Sequence, residues 1–310
     1  MRVIEYAEGF ARLGERPMAV AGTEDVALRV RRVGVCGTDL GAVQRGNPRF
    51  RTGIIIGHEL VGERMSDGAR FTVMPLISCG ACTNCGNGAE NLCERRVIIG
   101  AHTDGFLSEA VVLPATGLIP LPDDVTDAQA ALIEPMATAL HAWRRAATDR
   151  DSHVGIIGAG AIGLCIAWVA RVKGARCVVA EIDGTKHSVA ATVADEVVTE
   201  LTEVFDAVFD SVGLATTRLD AIAATRSGGP TVFVGLHSAD MPVDANDLVS
   251  RERNLLGSFA YTVADFEDAI GYVRGISTEW VTTVSFEDAV DVINGDTRVP
   301  GALKYHVVLN

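Results

Sequence analysis

Up to about residue 120 the apolar positions fall in short runs broken by glycine: VALRVRRVGVCG, IIIGHELVGE, ARFTVMP and LSEAVVLP. Short β-type runs with turn residues between them predict an all-β, barrel-like region. Pro114, Pro120 and Pro122 then mark a change of texture. After PDDVT, Thr126 and Gln129 have the spacing of a capping box, and a helical run follows, AQAALIEPMATALHAWRRAA. Pro135 is placed to close one helix and to occupy the first turn of the next.

From Val154 the pattern alternates. VGIIG reads as a buried strand, AIGLCIAWVARVKG as a helix and ARCVVAEI as a second strand. DEVVT, DAVFDSVG, GGPTVFVGL and NLLGSF are the further strand candidates. Strands separated by helical stretches predict a parallel sheet covered on both faces, an α/β class. TVADFEDAIGYVRG is an amphipathic helix, and the tail from about Trp280 holds one more helix, SFEDAVDVING, and a final strand, KYHVVLN. No internal repeat or low-complexity tract is visible.

A chain of 310 residues suggests two domains. Its net charge of −13 and its three lysines, Lys173, Lys186 and Lys304, leave no basic stripe for nucleic acid and disfavour an anionic membrane surface. The N-terminal MRVIEYAEG lacks a signal-peptide core, and no run of 18 apolar residues occurs, so the expected location is cytoplasmic. Structural disulfides are rare there, and the seven cysteines read as metal ligands plus buried thiols, Cys165 and Cys177 among the latter.

Four of the cysteines share one polar, turn-rich segment, SCGACTNCGNGAENLC, as Cys79, Cys82, Cys85 and Cys93. Four thiolates gathered by tight turns suit one tetrahedral zinc ion or an iron–sulfur cluster. The segment GAGAIG (Gly158, Ala159, Gly160, Ala161, Ile162, Gly163) joins the VGIIG strand to its helix. Glycines at those three positions permit a tight turn, close approach of pyrophosphate and close helix–sheet packing. Glu181 ends the second strand 18 residues beyond Gly163, where a carboxylate can bind an adenosine ribose and repel a 2′-phosphate. That favours NAD, with Lys186 keeping NADP open. Cys36 in VGVCGTD and His58-Glu59 in IIIGHE stand at the ends of apolar runs, as ligands of a catalytic zinc would. Glu134, amid apolar residues in IEPM, wants a metal, a cationic partner or the surface.

Taken in order, GVCGTD, GHE, CGACTNC(x7)C, IEP and GAGAIG resemble the zinc-dependent medium-chain alcohol dehydrogenases, within them the polyol, butanediol, threonine and sugar-acid branch. The resemblance spans essentially the whole chain. It implies a GroES-like β-barrel catalytic domain over 1–123 and 280–310, with a structural-zinc lobe at 78–93. Residues 124–279 would form a Rossmann domain, a doubly wound parallel sheet binding NAD, with the active site in the cleft. By the same resemblance Cys36, His58 and Glu134 hold the catalytic zinc, and Glu59 either ligates it or stands just behind. Thr38 relays the substrate proton and Asp39 orients His58. The four-cysteine site is closed by its thiolates and structural. Ser211, Val212, Gly235, Leu236, Ser258 and Phe259 line the nicotinamide side.

The implied reaction is oxidation of a secondary alcohol to a ketone, on a polyol, sugar acid, amino alcohol or hydroxylated biosynthetic intermediate. His102, Arg49 and Arg51 are polar residues that can contact such a substrate or serve structure alone. Relatives form homodimers or homotetramers, and NLLGSF is the edge strand expected to pair between copies. A zinc-independent quinone or enoyl reductase and a non-catalytic NAD-binding redox sensor are the rival readings. The one departure from the family pattern is GERMSDGARFTVMP, which compresses the hairpin after GHE and puts contacts at that barrel edge in doubt.

Overall fold

The computed structural model describes residues 1–46, 50–241, 243–297, 299 and 301–309, apart from the Arg45 side chain; Arg49 lies outside the described residues. Contacts divide the chain into two units, Met1–Glu134 with Val273–Asn310, and Pro135–Tyr272. The chain enters through a hairpin, β1 (Arg2–Ala7) and β2 (Phe10–Glu15), then runs through β3 (Asp25–Val35), α1 (Gly37–Arg45), β4 (Glu59–Arg64) and β5 (Arg70–Val73). A small lobe follows with β6 (Leu76–Ile77), α2 (Thr83–Gly86) and β7 (Val97–Ile98), before β8 (Ala110–Pro114) and β9 (Leu118–Pro120). Next come α3 (Asp127–Ala130) and α4 (Ile133–Ala146).

The second unit continues with β10 (His153–Ile157), α5 (Ala161–Lys173), β11 (Arg176–Ala180), α6 (His187–Ala190) and β12 (Glu196–Val198). After these come β13 (Ala207–Asp210), α7 (Ala215–Ala224), β14 (Pro230–Phe233), α8 (Ala245–Ser250), β15 (Asn254–Gly257) and α9 (Val263–Tyr272). The tail, β16 (Val281–Ser285), α10 (Asp288–Asn294) and β17 (Lys304–Val308), belongs to the first unit.

In the first unit the main sheet runs β16-β17-β3-β4-β5-β9, with β8 also on β3. β3 organises it through a register shift between Val30 and Arg32. Before the shift the buried apolar positions are Leu28 and Val30, and after it Val33 and Val35. Strict alternation would have turned one pair outward, so the irregularity keeps both pairs in the core while the strand moves from β8 to β17. The core joins Ile4, Leu28, Val33, Leu60 and Leu107 to Phe286, Ala289, Ile293 and Val307 from the tail.

Three expectations need correction. Ile54–Ile56 are buried but not a strand, making only an isolated bridge from Ile55 to Glu5. The tail contains β16, whose VTTVS reads as polar because its register leaves Thr283 and Ser285 exposed. The compressed hairpin still pairs β4 with β5, Gly62 opposite Phe71, across a turn closed by Arg64 and Ala69. The capping box at Thr126 and Gln129 is present, and Pro135 sits in the first turn of α4, after a break that separates it from α3.

In the second unit six parallel strands lie in the order β12-β11-β10-β13-β14-β15, which puts β15 at an edge. The crossover from β12 to β13 carries no helix, contrary to the expected alternation. Leu201 and Phe205 cover the sheet there instead, pressing on Gly155, where an added Cβ would meet Leu201 at 2.8 Å. Cys165 and Cys177 are buried as expected. Among the described residues, no helix is long and apolar enough to cross a membrane.

Candidate functional site

Cys36 ends β3 and is the N-cap of α1, with φ −84° and ψ 152°. Its backbone N–H donates to Asp39 Oδ2 at 2.9 Å, so the start of the helix fixes both side chains. Asp39 is fully buried, and its other oxygen lies 3.4 Å from His58 Nδ1. That contact leaves Nε2 as the atom of His58 available to a ligand. The approach to His58 is shaped by Gly57, whose carbonyl a Cβ on Gly100 or Gly105 would meet at 2.5 and 2.3 Å. Thr38 is exposed in the first turn of α1, its Oγ1 3.6 Å from Cys36 Sγ.

Cys36, His58 and Glu59 bring ligand atoms within 4.8 Å of one another. Sulfur, imidazole nitrogen and carboxylate oxygen are zinc donors, and Glu59 Oε2 is buried without a hydrogen-bond partner. An orphaned acceptor beside a thiol and an imidazole is what a cation would satisfy, so the residues fit a metal. Burial alone would lower the pKa of His58. The charges of Asp39 and Cys36 outweigh it and hold the imidazole well above its ordinary value. Metal binding there would have to displace a proton.

Lys304, one of the chain's three lysines, is the residue the sequence reading passed over. It is 4% exposed, and its Nζ donates to Glu59 Oε1 at 2.5 Å. Burial opposes its charge, yet Glu59, Cys36 and Glu134 raise its pKa. Glu134, in the first turn of α4, therefore acts electrostatically on this ammonium, although it stands outside the group of mutually close donors. A lysine at the head of an otherwise apolar strand was the one available signal for Lys304.

Cys79, Cys82, Cys85 and Cys93 also bring their sulfurs within 4.8 Å of one another. Cys82 and Cys85 are 3.4 Å apart, and Cys79 and Cys85 3.9 Å. A tetrahedron of zinc–sulfur bonds has edges of about 3.8 Å, so one ion fits, whereas a multi-iron cluster would spread its thiolates further. The Cys79 thiol is pushed down to about 6, chiefly by the backbone N–H of Ala81, with help from Cys93 and Arg95. Arg95 itself lies 3.2 Å from Cys79 Sγ.

In the second unit the predicted nucleotide residues gather at the carboxyl ends of the parallel strands. Gly158 leaves β10 with φ 97°, which a side chain would strain, and Gly160 caps α5 with open space around it. A Cβ on Gly163 would lie 1.9 Å from the Gly158 carbonyl oxygen, so helix and turn touch there. Glu181 follows β11 and is 8% exposed. Its carboxylate accepts from the Ala159 and Asp183 N–H groups at 2.9 Å each, with Lys186 Nζ 3.4 Å away.

Ser211 Oγ donates to the Ile157 carbonyl at 2.8 Å, which ties the end of β13 to the glycine turn. The turn at Val212-Gly213 presses on Gly235, where a Cβ would lie 2.1 Å from the Val212 carbonyl carbon. Leu236 beside it is 76% exposed. Ser258 donates its N–H to the Phe233 carbonyl at 2.9 Å, its hydroxyl buried without a partner, and the half-buried Phe259 follows. The glycine cradle, the helix N-terminus and the carboxylate fit a dinucleotide.

Comparison with known proteins agrees with both sites. The chain matches the alcohol dehydrogenase GroES-like domain over residues 22–123 and the zinc-binding dehydrogenase domain over 161–274. L-galactonate-5-dehydrogenase of Escherichia coli (strain K12) is 31% identical over 275 residues, with 81% of each chain covered. L-idonate 5-dehydrogenase of Vitis vinifera is 32% identical over 272 residues, covering 77% of this chain and 74% of the relative. Among solved structures, one described as a zinc-binding dehydrogenase from Sinorhizobium meliloti 1021 bound to NADP is 26% identical. It superposes with a TM-score of 0.91, covering 99% of both chains.

Proposed function

Since the chain belongs to the zinc-type medium-chain dehydrogenase/reductase family, we propose that it oxidises a polar secondary alcohol, a sugar acid or polyol, to the ketone with NAD. The observation that carries this reading is the convergence of Cys36, His58 and Glu59 donors within 4.8 Å. A zinc-independent reductase would have no use for that set. A bound zinc ion supplies Lewis acidity toward an alcohol oxygen, and NAD accepts the hydride.

In this reading Cys36, His58 and Glu134 hold the ion, with Glu59 beside it. Asp39 orients the His58 ring and fixes which nitrogen faces the ion. The exposed Thr38 Oγ1 accepts the proton leaving the substrate hydroxyl and passes its own onward. In the second unit the backbone at Gly158–Gly163 and the N-terminus of α5 bind pyrophosphate, while Glu181 accepts from the ribose hydroxyls. Ser211, Val212, Gly235, Leu236, Ser258 and Phe259 shape the nicotinamide side. The four-cysteine ion braces its lobe and takes no part in the chemistry.

The sugar-acid preference is supported by the two sugar-acid 5-dehydrogenases among the relatives. We further propose a homodimer or homotetramer, supported by the position of β15 at the sheet edge. The acidic balance of −13 supports a small-molecule partner rather than nucleic acid or an anionic membrane, and seven free thiols support a cytoplasmic location. The test is an NAD-reduction screen of zinc-loaded protein across sugar acids, polyols and amino alcohols. Turnover of a sugar acid or polyol, lost in Cys36→Ser, is the expected result; inertness across the panel at full zinc loading would sink the proposal.

A further inference from the structure

Glu59 occupies its buried position by lying across the one glycine of β3. It pairs with Gly34 from the β4 side, and Gly34 pairs on its other side with His306 of β17. A Cβ on Gly34 would sit 1.8 Å from Glu59 Oε2 and 2.9 Å from its Cδ, so the carboxylate uses space that only glycine leaves. Beyond that space Lys304 takes Oε1 at 2.5 Å, and both partners are 4% exposed or less. The remaining oxygen is unpartnered, and Glu59 stays within 4.8 Å of the Cys36 and His58 donors.

We propose that Gly34 and Lys304 are positioning residues that hold the Glu59 carboxylate back from the ion at Cys36 and His58, keeping one coordination position open. The inference rests on the zinc reading above. A carboxylate this close to a divalent cation would otherwise join it and close the site, and a reactive zinc needs a vacancy. Gly34 supplies the resting place and Lys304 supplies the competing charge. Without Lys304 the buried carboxylate is uncompensated, a strongly unfavourable state that moving onto the ion relieves.

The experiment uses full-length protein with cobalt exchanged into the reactive site while zinc stays in the four-cysteine site. The visible cobalt spectrum reports coordination, and a chelator reports release. Lys304→Met should slow release by about tenfold or more, the scale on which residues behind metal ligands act, and shift the spectrum toward a more crowded site. Gly34→Ala should shift the spectrum the same way by displacing the carboxylate sterically. Lys304→Arg, which keeps a cation on Oε1, should resemble wild type. Glu59→Gln should leave release within about twofold, and adding it to Lys304→Met should restore fast release. Unchanged spectrum and release in Lys304→Met would overturn the inference, as would loss of the ion in Glu59→Gln, which would make Glu59 an ordinary ligand. A wild-type chain that binds an ion only at the four cysteines would bring down the zinc reading, and this inference with it.

Discussion

Replacing Glu181 with alanine should cost NAD efficiency and open the enzyme to NADP. In the free protein both carboxylate oxygens accept backbone N–H groups, Ala159 and Asp183, at 2.9 Å, and the residue is 8% exposed. The carboxylate is thus held at the end of β11, with lone pairs left for a ribose diol. A charge-assisted hydrogen bond is worth about 1.5–3 kcal/mol, or roughly 10- to 150-fold in kcat/KM. Against a 2′-phosphate the same charge repels. At about 5 Å and an effective dielectric near 20, each unit of phosphate charge costs about 3 kcal/mol. Alanine removes both effects and frees Lys186, now 3.4 Å from Glu181, to meet a phosphate. The NAD-to-NADP ratio of kcat/KM should therefore fall by at least about a hundredfold. Steady-state kinetics with one alcohol and both cofactors measure it. A melting curve checks that the Ala159 and Asp183 N–H groups, deprived of their acceptor, do not unfold the turn. A wild-type preference for NADP, or a ratio unmoved by Glu181→Ala, would refute the reasoning.

Fully loaded protein should carry two zinc ions per chain by elemental analysis, with Cys82→Ser losing the structural ion and Cys36→Ser only the reactive one. Glu134→Ala should weaken retention of the reactive zinc and lower alcohol oxidation while NAD affinity holds; Glu134→Cys should retain the ion with altered rate. Normal zinc and activity in Glu134→Ala would make Glu134 a helix-end carboxylate only. Asp265, 1% exposed in α9, is buried, which opposes its charge, but His141, Thr262 and Arg144 bring its carboxyl down from 3.8 to about 2. Its folded pKa is the lower one, so the stabilisation is present above about 4 and lost as pH falls toward 2. The shift corresponds to about 2.5 kcal/mol at pH 7 and roughly half of that at pH 3. Urea melts of Asp265→Asn against wild type should show that gap at neutral pH and its narrowing in acid; a pH-independent gap would contradict it.

What could be read from the residues alone was what depends on neighbours along the chain. The four cysteines occupy positions 79 to 93, so their spacing and turns nearly define the site. GAGAIG between a buried strand and a helix, with a carboxylate at the next strand end, is likewise a local arrangement. Even Cys36 and His58 were legible, each at an apolar run's end beside glycine, although nothing local says that they meet. Other features were decided only by packing. Whether β3 keeps one face inward depends on a register shift that lets it serve two neighbours, which periodicity cannot show. VTTVS becomes a strand because β17 offers it an edge, and Leu201 and Phe205 replace a helix because Gly155 leaves them room. The surroundings of Glu59 are the clearest case. Its partner Lys304 stands 245 positions away, and its resting place is the missing side chain of Gly34. A buried charge takes the partner that the fold brings within reach, because water is no longer there to solvate it. The sequence by itself determined which donors were available, and tertiary structure alone decided which oxygen of Glu59 would be left facing the metal site.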